Sequence, residues 1–209
     1  MKLILRSILL LTVIAAFAAC GHNAQKRKEE SDIHYRLGKI HLNEENFTDA
    51  LQELTTAIEI YPDDPSYHNA LGLAYFAKNM WKEAAVHMKA SIAIDPKFSE
   101  AHVNLAAIYI VERDWDGAVA ESKAALSNIF YRTPESAYFN MGRAYYNKGD
   151  WPQALESFKK AVESSPGYST AYYNMGLTLD KMGNPKESAE AFESAVKTAP
   201  GYVDAYFEL

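Results

Sequence analysis

Apolar residues in the segment 133–166 recur at intervals of three and four positions, which is the period of an amphipathic helix. The pattern predicts one helix at about Glu135–Lys148 and a second at about Trp151–Glu163. Gly149-Asp150 lies between them, and this dipeptide suits the end of one helix and the cap of the next. Two such helices cannot bury their apolar faces alone, so the segment is expected to pack against similar neighbours.

Related copies of this segment fill most of the chain. A small residue marks the register, and the position of Gly142 is taken elsewhere by Gly38, Gly72, Ala106 and Gly176, at spacings of 34, 34, 36 and 34 residues. A small residue at this point predicts a close helix crossing. The copies cover residues 31–64, 65–98, 99–134, 135–168 and 169–202, and residues 203–209 begin a sixth.

The period, the small positions and the closing prolines resemble the tetratricopeptide repeat (TPR), a helix–turn–helix unit of about 34 residues. The resemblance implies an all-α fold, an α-solenoid of stacked TPR units that spans residues 31–209. It also implies a protein-binding role, since repeats of this kind present extended surfaces to partners.

The start of the chain has a different pattern. Residues 1–19 combine a basic beginning with an apolar run and small residues, which predicts a secretory signal peptide; an uncleaved membrane anchor is the alternative. Phe17-Ala18-Ala19-Cys20 resembles the bacterial lipobox, with Phe17 where an aliphatic residue is usual. That resemblance implies lipidation of Cys20, the alternative being ordinary cleavage that leaves a free thiol. Residues 20–30 are polar beyond Cys20 and are expected to form a short tether.

The composition and the absence of catalytic motifs limit the classes of function that the chain can have. The formal net charge of −6 argues against nucleic acid as a partner, because nucleic-acid binding needs a basic surface. A single cysteine excludes an internal disulfide. The sequence has no phosphate-binding glycine loop, no metal-ligand spacing of histidines and no nucleophile elbow. We therefore expect no enzyme activity, no cofactor and no metal.

The TPR resemblance implies that the first helix of each repeat lines a concave groove. Two positions of those helices face inward without packing inside the unit, and we expect a peptide or a helix as the guest. The alternative is that neighbouring helices cover part of this wall. Carried over by register, the expected partner-binding residues are Tyr35, Asn69, Leu73, Phe76, Val103, Ile110, Phe139, Arg143, Tyr146, Tyr173 and Leu177.

The register slips once, at residues 128–134, where two extra residues occur and no closing proline is present. One interpretation is a recognition loop that projects Phe130 and Tyr131. The other is a longer connection folded against the edge of the solenoid.

The predicted lipoprotein signal, short tether and TPR units together resemble the pilotin lipoproteins of type IV pilus systems (the PilF, PilW and Tgl group). This resemblance implies a lipid-anchored protein on the periplasmic side of the outer membrane. There it would bind secretin subunits and promote their localisation and assembly. A different TPR scaffold that gathers peptidoglycan-processing proteins is the first alternative, and an unrecognised enzyme is the second.

Overall fold

The computed structural model describes residues 2–208, with side chains described from Asn23 onward. Every regular element in this part of the chain is a helix, so the predicted all-α solenoid fold is confirmed. The helices are α1 (Lys2–Asn43), α2 (Phe47–Ile60), α3 (Pro65–Ala77), α4 (Trp81–Ile94), α5 (Ser99–Glu112), α6 (Trp115–Leu126), α7 (Pro134–Lys148), α8 (Trp151–Ser164), α9 (Ser169–Lys181), α10 (Pro185–Thr198) and α11 (Val203–Phe207).

The helices form two compact units, Met1–His87 and Met88–Leu209. In the first unit α1 packs against α2, and both contact α3. In the second, consecutive helices from α5 to α11 pack against one another, and α7 also contacts α5 and α9. Each unit is thus a stack of helical hairpins in which a helix contacts its hairpin partner and the next hairpin, as a repeat architecture requires.

Local sequence signals set the helix ends. Gly149 ends α7 with a left-handed φ of 79°, and Asp150 caps α8 by accepting a hydrogen bond from the Gln153 amide. Pro134 and Pro185 occupy the first turns of α7 and α10, where a backbone N–H is not needed. Thr133 and Asn184 hold the N-cap positions of these two helices, but neither side chain bonds to its helix. The Thr133 side chain instead lies beside the Tyr131 hydroxyl.

Close helix crossings explain the repeated small residue. A Cβ on Gly142 would lie 2.6 Å from Cε1 of Phe158, and one on Gly176 would lie 2.6 Å from Cε1 of Phe192. In the first repeat a Cβ on Gly38 would lie 2.5 Å from Cγ of Leu54. The large side chain of the second helix therefore occupies the space left by the glycine, and the predicted role of this position is confirmed.

The structure differs from the expected tether at residues 23–30, which continue α1 as helix. These residues have no apolar stripe. Polar contacts with the end of α2 and with Asp64, which precedes α3, hold them instead. Lys28 Nζ lies 2.8 Å from an Asp64 carboxylate oxygen, and Arg27 donates to the Ile60 carbonyl. Ser31 Oγ donates to the Ala57 carbonyl at 2.6 Å. Carbonyls at a helix C-terminus lack partners within the helix, and Arg27 supplies one to Ile60, whereas the Ala57 carbonyl also accepts from the Tyr61 N–H.

Hydrogen bonding to Asp64 raises the pKa of Lys28, despite the opposing effect of burial. The ion pair therefore stays charged over the whole physiological pH range.

The predicted signal peptide at residues 1–19 and the side chain of Cys20 lie outside the part of the chain whose side chains are described. Among the residues that are so described, no helix has both the length and the hydropathy needed to span a bilayer.

Candidate protein-binding surface

The structure places nine of the eleven expected groove residues at half-buried positions on the first helices of their repeats. Val103 and Ile110 are exceptions, at 8% and 5% exposure. Val103 packs among Ala125 and Ala137. Ile110 packs with Ala118, Val119, Met141 and Ala144. The expectation that these two aliphatic residues face a partner was therefore wrong, because α6 and α7 cover them.

In the first unit the expected residues lie around ring contacts on α1 and α3. The Tyr35 ring lies 5.0 Å from that of Tyr67, and Lys39 Nζ lies 5.4 Å from the Tyr35 centroid. A cavity of about 220 Å³ beside Tyr35 is lined by Asp32 and Arg36 as well. This part of the surface combines an aromatic ring with charged groups of both signs.

Farther along α3, Phe76 meets Trp81 edge to face, with ring centroids 4.9 Å apart. Trp81 begins α4, so this contact joins the end of one helix to the start of the next. Leu73 and Asn69 lie on the preceding turns of α3 and are half-buried. Four of the expected residues are thus on two helices of this unit, with Phe76 fixed by its aromatic neighbour.

The second unit carries the same aromatic arrangement twice. Phe139 lies 5.8 Å from Phe158 and 5.0 Å from Tyr168, measured between ring centroids. Thirty-four residues later, Tyr173 lies 5.6 Å from Phe192 and 5.1 Å from Tyr202. We call Phe139, Tyr168, Tyr173 and Tyr202 the aromatic row. Such tilted ring pairs are favourable in themselves and rigid, which lowers the entropy lost when a partner binds.

Arg143 provides a positive charge at the aromatic row, with its guanidinium carbon 5.8 Å from the Phe139 centroid. Burial is the main cause that raises the pKa values of Tyr168, Tyr173 and Tyr202. Their hydroxyls therefore stay neutral and keep a proton to donate. Beside the row, a cavity of about 320 Å³ is lined by Glu135, Ser136, Ser165, Gly167 and Tyr168. The surface can offer aromatic faces, hydroxyl donors and one cation to a guest.

Sequence reasoning missed Tyr168 and Tyr202. Both occupy the N-cap position of a first helix, as Phe98 does before α5. Both residues lie in the turns between repeats, outside the helix positions that define the groove register. Their equal spacing was visible in the sequence and would have identified them.

The loop between α6 and α7 separates the two residues expected to project from it. Phe130 is 83% exposed, and so is its neighbour Ile129 at 86%, which the sequence analysis did not single out. Tyr131 instead packs against Val103, Ala125 and Ala137, and burial raises its pKa. Phe130 thus projects from the loop, whereas the expectation that Tyr131 projects was wrong because it is folded against the helices.

Histidines recur at one position of the first three repeats. His34 Nδ1 lies 2.7 Å from Glu53, and His102 Nδ1 lies 2.6 Å from Glu121. In the second repeat His87 replaces the glutamate, and its Nδ1 lies 3.4 Å from that of His68. Within residues 23–208, no three His, Cys, Asp or Glu side chains come together as a metal site.

Family models match the chain in the regions that form these hairpins. One described as "TPR repeat" matches residues 43–79 and 142–183, and one described as "Tetratricopeptide repeat" matches residues 169–202. These matched regions of the chain are therefore TPR repeats. No curated protein has significant sequence similarity to it.

Solved TPR structures share this fold at low sequence identity. PilF of Pseudomonas aeruginosa superposes with a TM-score of 0.81 at 18% identity, over 88% of this chain and 82% of that one. PilW, described as a widely conserved type IV pilus biogenesis factor, gives 0.80 at 17% identity, over 85% and 82%. YrrB, described as a TPR protein with an unusual peptide-binding site, gives 0.65 at 20% identity, over 83% and 89%. At these identities the likeness shows the fold.

Proposed function

We propose that this TPR protein is an outer-membrane lipoprotein that assists type IV pilus biogenesis, by binding secretin subunits and promoting their localisation and assembly. The observation that carries the proposal is the likeness to PilF and PilW, at TM-scores of 0.81 and 0.80 over most of the chain. The lipobox-like sequence before Cys20 supports the location. No step of this function requires catalysis.

The groove supplies the binding step in this proposal. Its aromatic row presents ring faces that are held by Phe158 and Phe192, and Arg143 lies over Phe139. Aromatic and arginine side chains provide most of the energy in many protein interfaces. A peptide or an amphipathic helix fits such a surface, because it presents apolar side chains on one face and carboxylate or carbonyl groups for the cation and the hydroxyls.

The anchor supplies location. Each methylene of an acyl chain that enters the bilayer adds about 0.8 kcal/mol, so several chains on Cys20 would hold the protein at the membrane. A subunit bound in the groove is then kept near the membrane where its ring assembles. The binding must favour the unassembled subunit, since a ligand that binds both states equally shifts no equilibrium.

Deletion of the gene that encodes this chain tests the proposal. We expect secretin to remain unassembled and absent from the outer-membrane fraction, and expression of the wild-type chain to restore the ring. Tyr146→Ser with Tyr173→Ser should fail to restore it while the protein itself stays in that fraction. Normal secretin rings without the chain, together with co-purification of peptidoglycan-processing enzymes, would instead favour the scaffold alternative.

A further inference from the structure

The loop of residues 127–133, which joins α6 and α7, presents two adjacent large apolar side chains to solvent. Ile129 is 86% and Phe130 83% exposed. We propose that this loop inserts these two side chains into the headgroup region of a lipid bilayer. It would form a membrane contact separate from the expected anchor at Cys20. The proposal goes beyond secretin binding and does not depend on it.

The loop holds the two side chains outward by its own hydrogen bonds. The Asn128 amide nitrogen donates to the Lys97 carbonyl at 3.0 Å, and its amide oxygen accepts from the Phe130 backbone N–H at 3.0 Å. The Tyr131 N–H donates to the Asn128 carbonyl at 3.0 Å. Tyr131 packs into the helices and fixes the far end of the loop. Backbone groups bonded in this way enter an apolar region at a lower cost than free ones.

The same bonds favour a bilayer over a protein as the occupant. A specific protein interface needs directional hydrogen bonds, about one for every 100–200 Å². Both ends of the Asn128 amide bond within the protein, and the Ser127 hydroxyl donates to the Ala124 carbonyl at 2.7 Å. Around the exposed pair the loop therefore offers mainly apolar surface. The interfacial region of a bilayer accepts such a surface without directional partners.

Charge at the loop also fits a phospholipid surface. Lys97 and Arg132 are exposed, and Lys97 lines a cavity of about 320 Å³ together with Ile129 and Phe130. Long basic side chains beside an inserted apolar pair can reach lipid phosphates while their stems lie along the apolar region. Two carboxylates, Glu100 and Glu135, lie near the Tyr131 hydroxyl on the helix side of the loop. Burial of one Ile or Phe side chain strengthens membrane binding by about tenfold or more.

A fluorescent label on the full chain tests the insertion. Ser127→Cys carries an environment-sensitive dye beside the exposed pair, and Lys186→Cys on α10 carries the same dye as the matched control. Cys20 is acylated or replaced by serine in both proteins, so the dye is confined to one site. Vesicles of phosphatidylethanolamine and phosphatidylglycerol contain lipids with a quenching spin label, and secretin is absent. The readout thus differs from that of the pilus experiment.

We expect quenching at Ser127→Cys to be several times that at Lys186→Cys. Ile129→Asp with Phe130→Asp should lower it to the control level, while Ile129→Leu with Phe130→Leu should preserve it. All four positions are exposed, and circular dichroism confirms that the variants fold. Equal quenching at the two labelled positions would overturn the proposal. So would quenching that the aspartates leave unchanged. In a separate sample to which a secretin subunit is added, shielding of the dye that does not occur with vesicles alone would also overturn the proposal, because the loop would then be a protein contact.

Discussion

Of the histidines at the same position of the first three repeats, His34 and His102 lie beside a glutamate, whereas His68 lies beside His87. The two ring nitrogens of His102 lie within hydrogen-bond distance of Glu121 and of the Pro96 carbonyl, and the hydrogen bond with Glu121 raises the pKa of His102 above its ordinary value. His68 donates from Nε2 to the Pro62 carbonyl, so its Nδ1 accepts from His87. Burial first and His68 second lower the pKa of His87.

The sign of the pH effect follows from these shifts. His102 binds its proton more tightly in the folded state, so its contribution to stability is complete below pH 6.5 and is lost as the pH rises through its folded pKa. His87 binds its proton more weakly when folded. Its effect is therefore a loss of stability as the pH falls below 6.5.

His87→Glu converts the second repeat to the His–Glu pair of the first and third. We expect the variant to lose less thermal stability than the wild type between pH 7.5 and pH 5, because it lacks the His87 imidazole, whose pKa is lowered in the fold. Melting curves by circular dichroism at the two pH values measure this. His102→Gln is the control, and it should lose more stability on acidification than the wild type. Parallel pH profiles for all three proteins would contradict the assigned contacts.

A substitution at Gly142 tests the close crossing of α7 and α8. Gly142→Val places a side chain against the Phe158 ring, where even a Cβ lies 2.6 Å from Cε1. We expect a loss of about 1–3 kcal/mol, as for other overpacked cores. Gly167→Ala is the matched control, since its Cβ meets no atom within 4 Å. Chemical denaturation measures both, and equal stabilities would show that the crossing is looser than described.

Small residues made the fold predictable, while the details of the surface depended on neighbours that a pattern does not contain. Gly38, Gly142 and Gly176 located the repeats because only one geometry needs them small. Val103 and Ile110 fit the same register yet are covered by α6, the hairpin partner of α5, and by α7 of the next hairpin. Their burial depends on how closely α6 and α7 approach, which the spacing of residues along α5 does not reveal.

Among the elements, α1 differs most from its expectation. A sequence without an apolar stripe indicated a tether at residues 20–30, yet residues 23–30 are helical in the structure. The contacts that hold this segment are polar and join residues more than 25 positions apart, such as Lys28 with Asp64 and Ser31 with Ala57. Hydrophobic periodicity cannot detect a helix that is held by such contacts.

Hydrogen exchange tests the helical state of this segment. We expect amides of residues 26–31 to exchange at least tenfold more slowly than an unstructured peptide of the same sequence. Lys28→Ala with Ser31→Ala should raise their exchange rates and leave those of α8 unchanged, because the contacts of α1 are local to α2 and α3. If these amides of the wild type exchange at the rate of the unstructured peptide, the segment is a flexible tether and not a helix.

The proposed lipid anchor is tested at the scale of the whole molecule. Cys20→Ser removes the only thiol, so we expect the protein to leave the membrane fraction and to lose its acyl groups by mass spectrometry. The repeats lie beyond this residue and should keep their melting temperature. A Cys20→Ser protein that stays in the membrane fraction to the wild-type extent would show that something other than acylation holds it.

The affinity of the purified protein for an unassembled secretin subunit tests the central claim most directly. Tyr146→Ser with Tyr173→Ser should weaken binding at least tenfold, since each substitution removes an aromatic ring from the groove. Trp151→Ser removes an aromatic ring from the start of a second helix and should leave the affinity within about twofold. Equal affinity for the wild type and the groove variant, with both folded, would contradict the account, as would no measurable binding by the wild type.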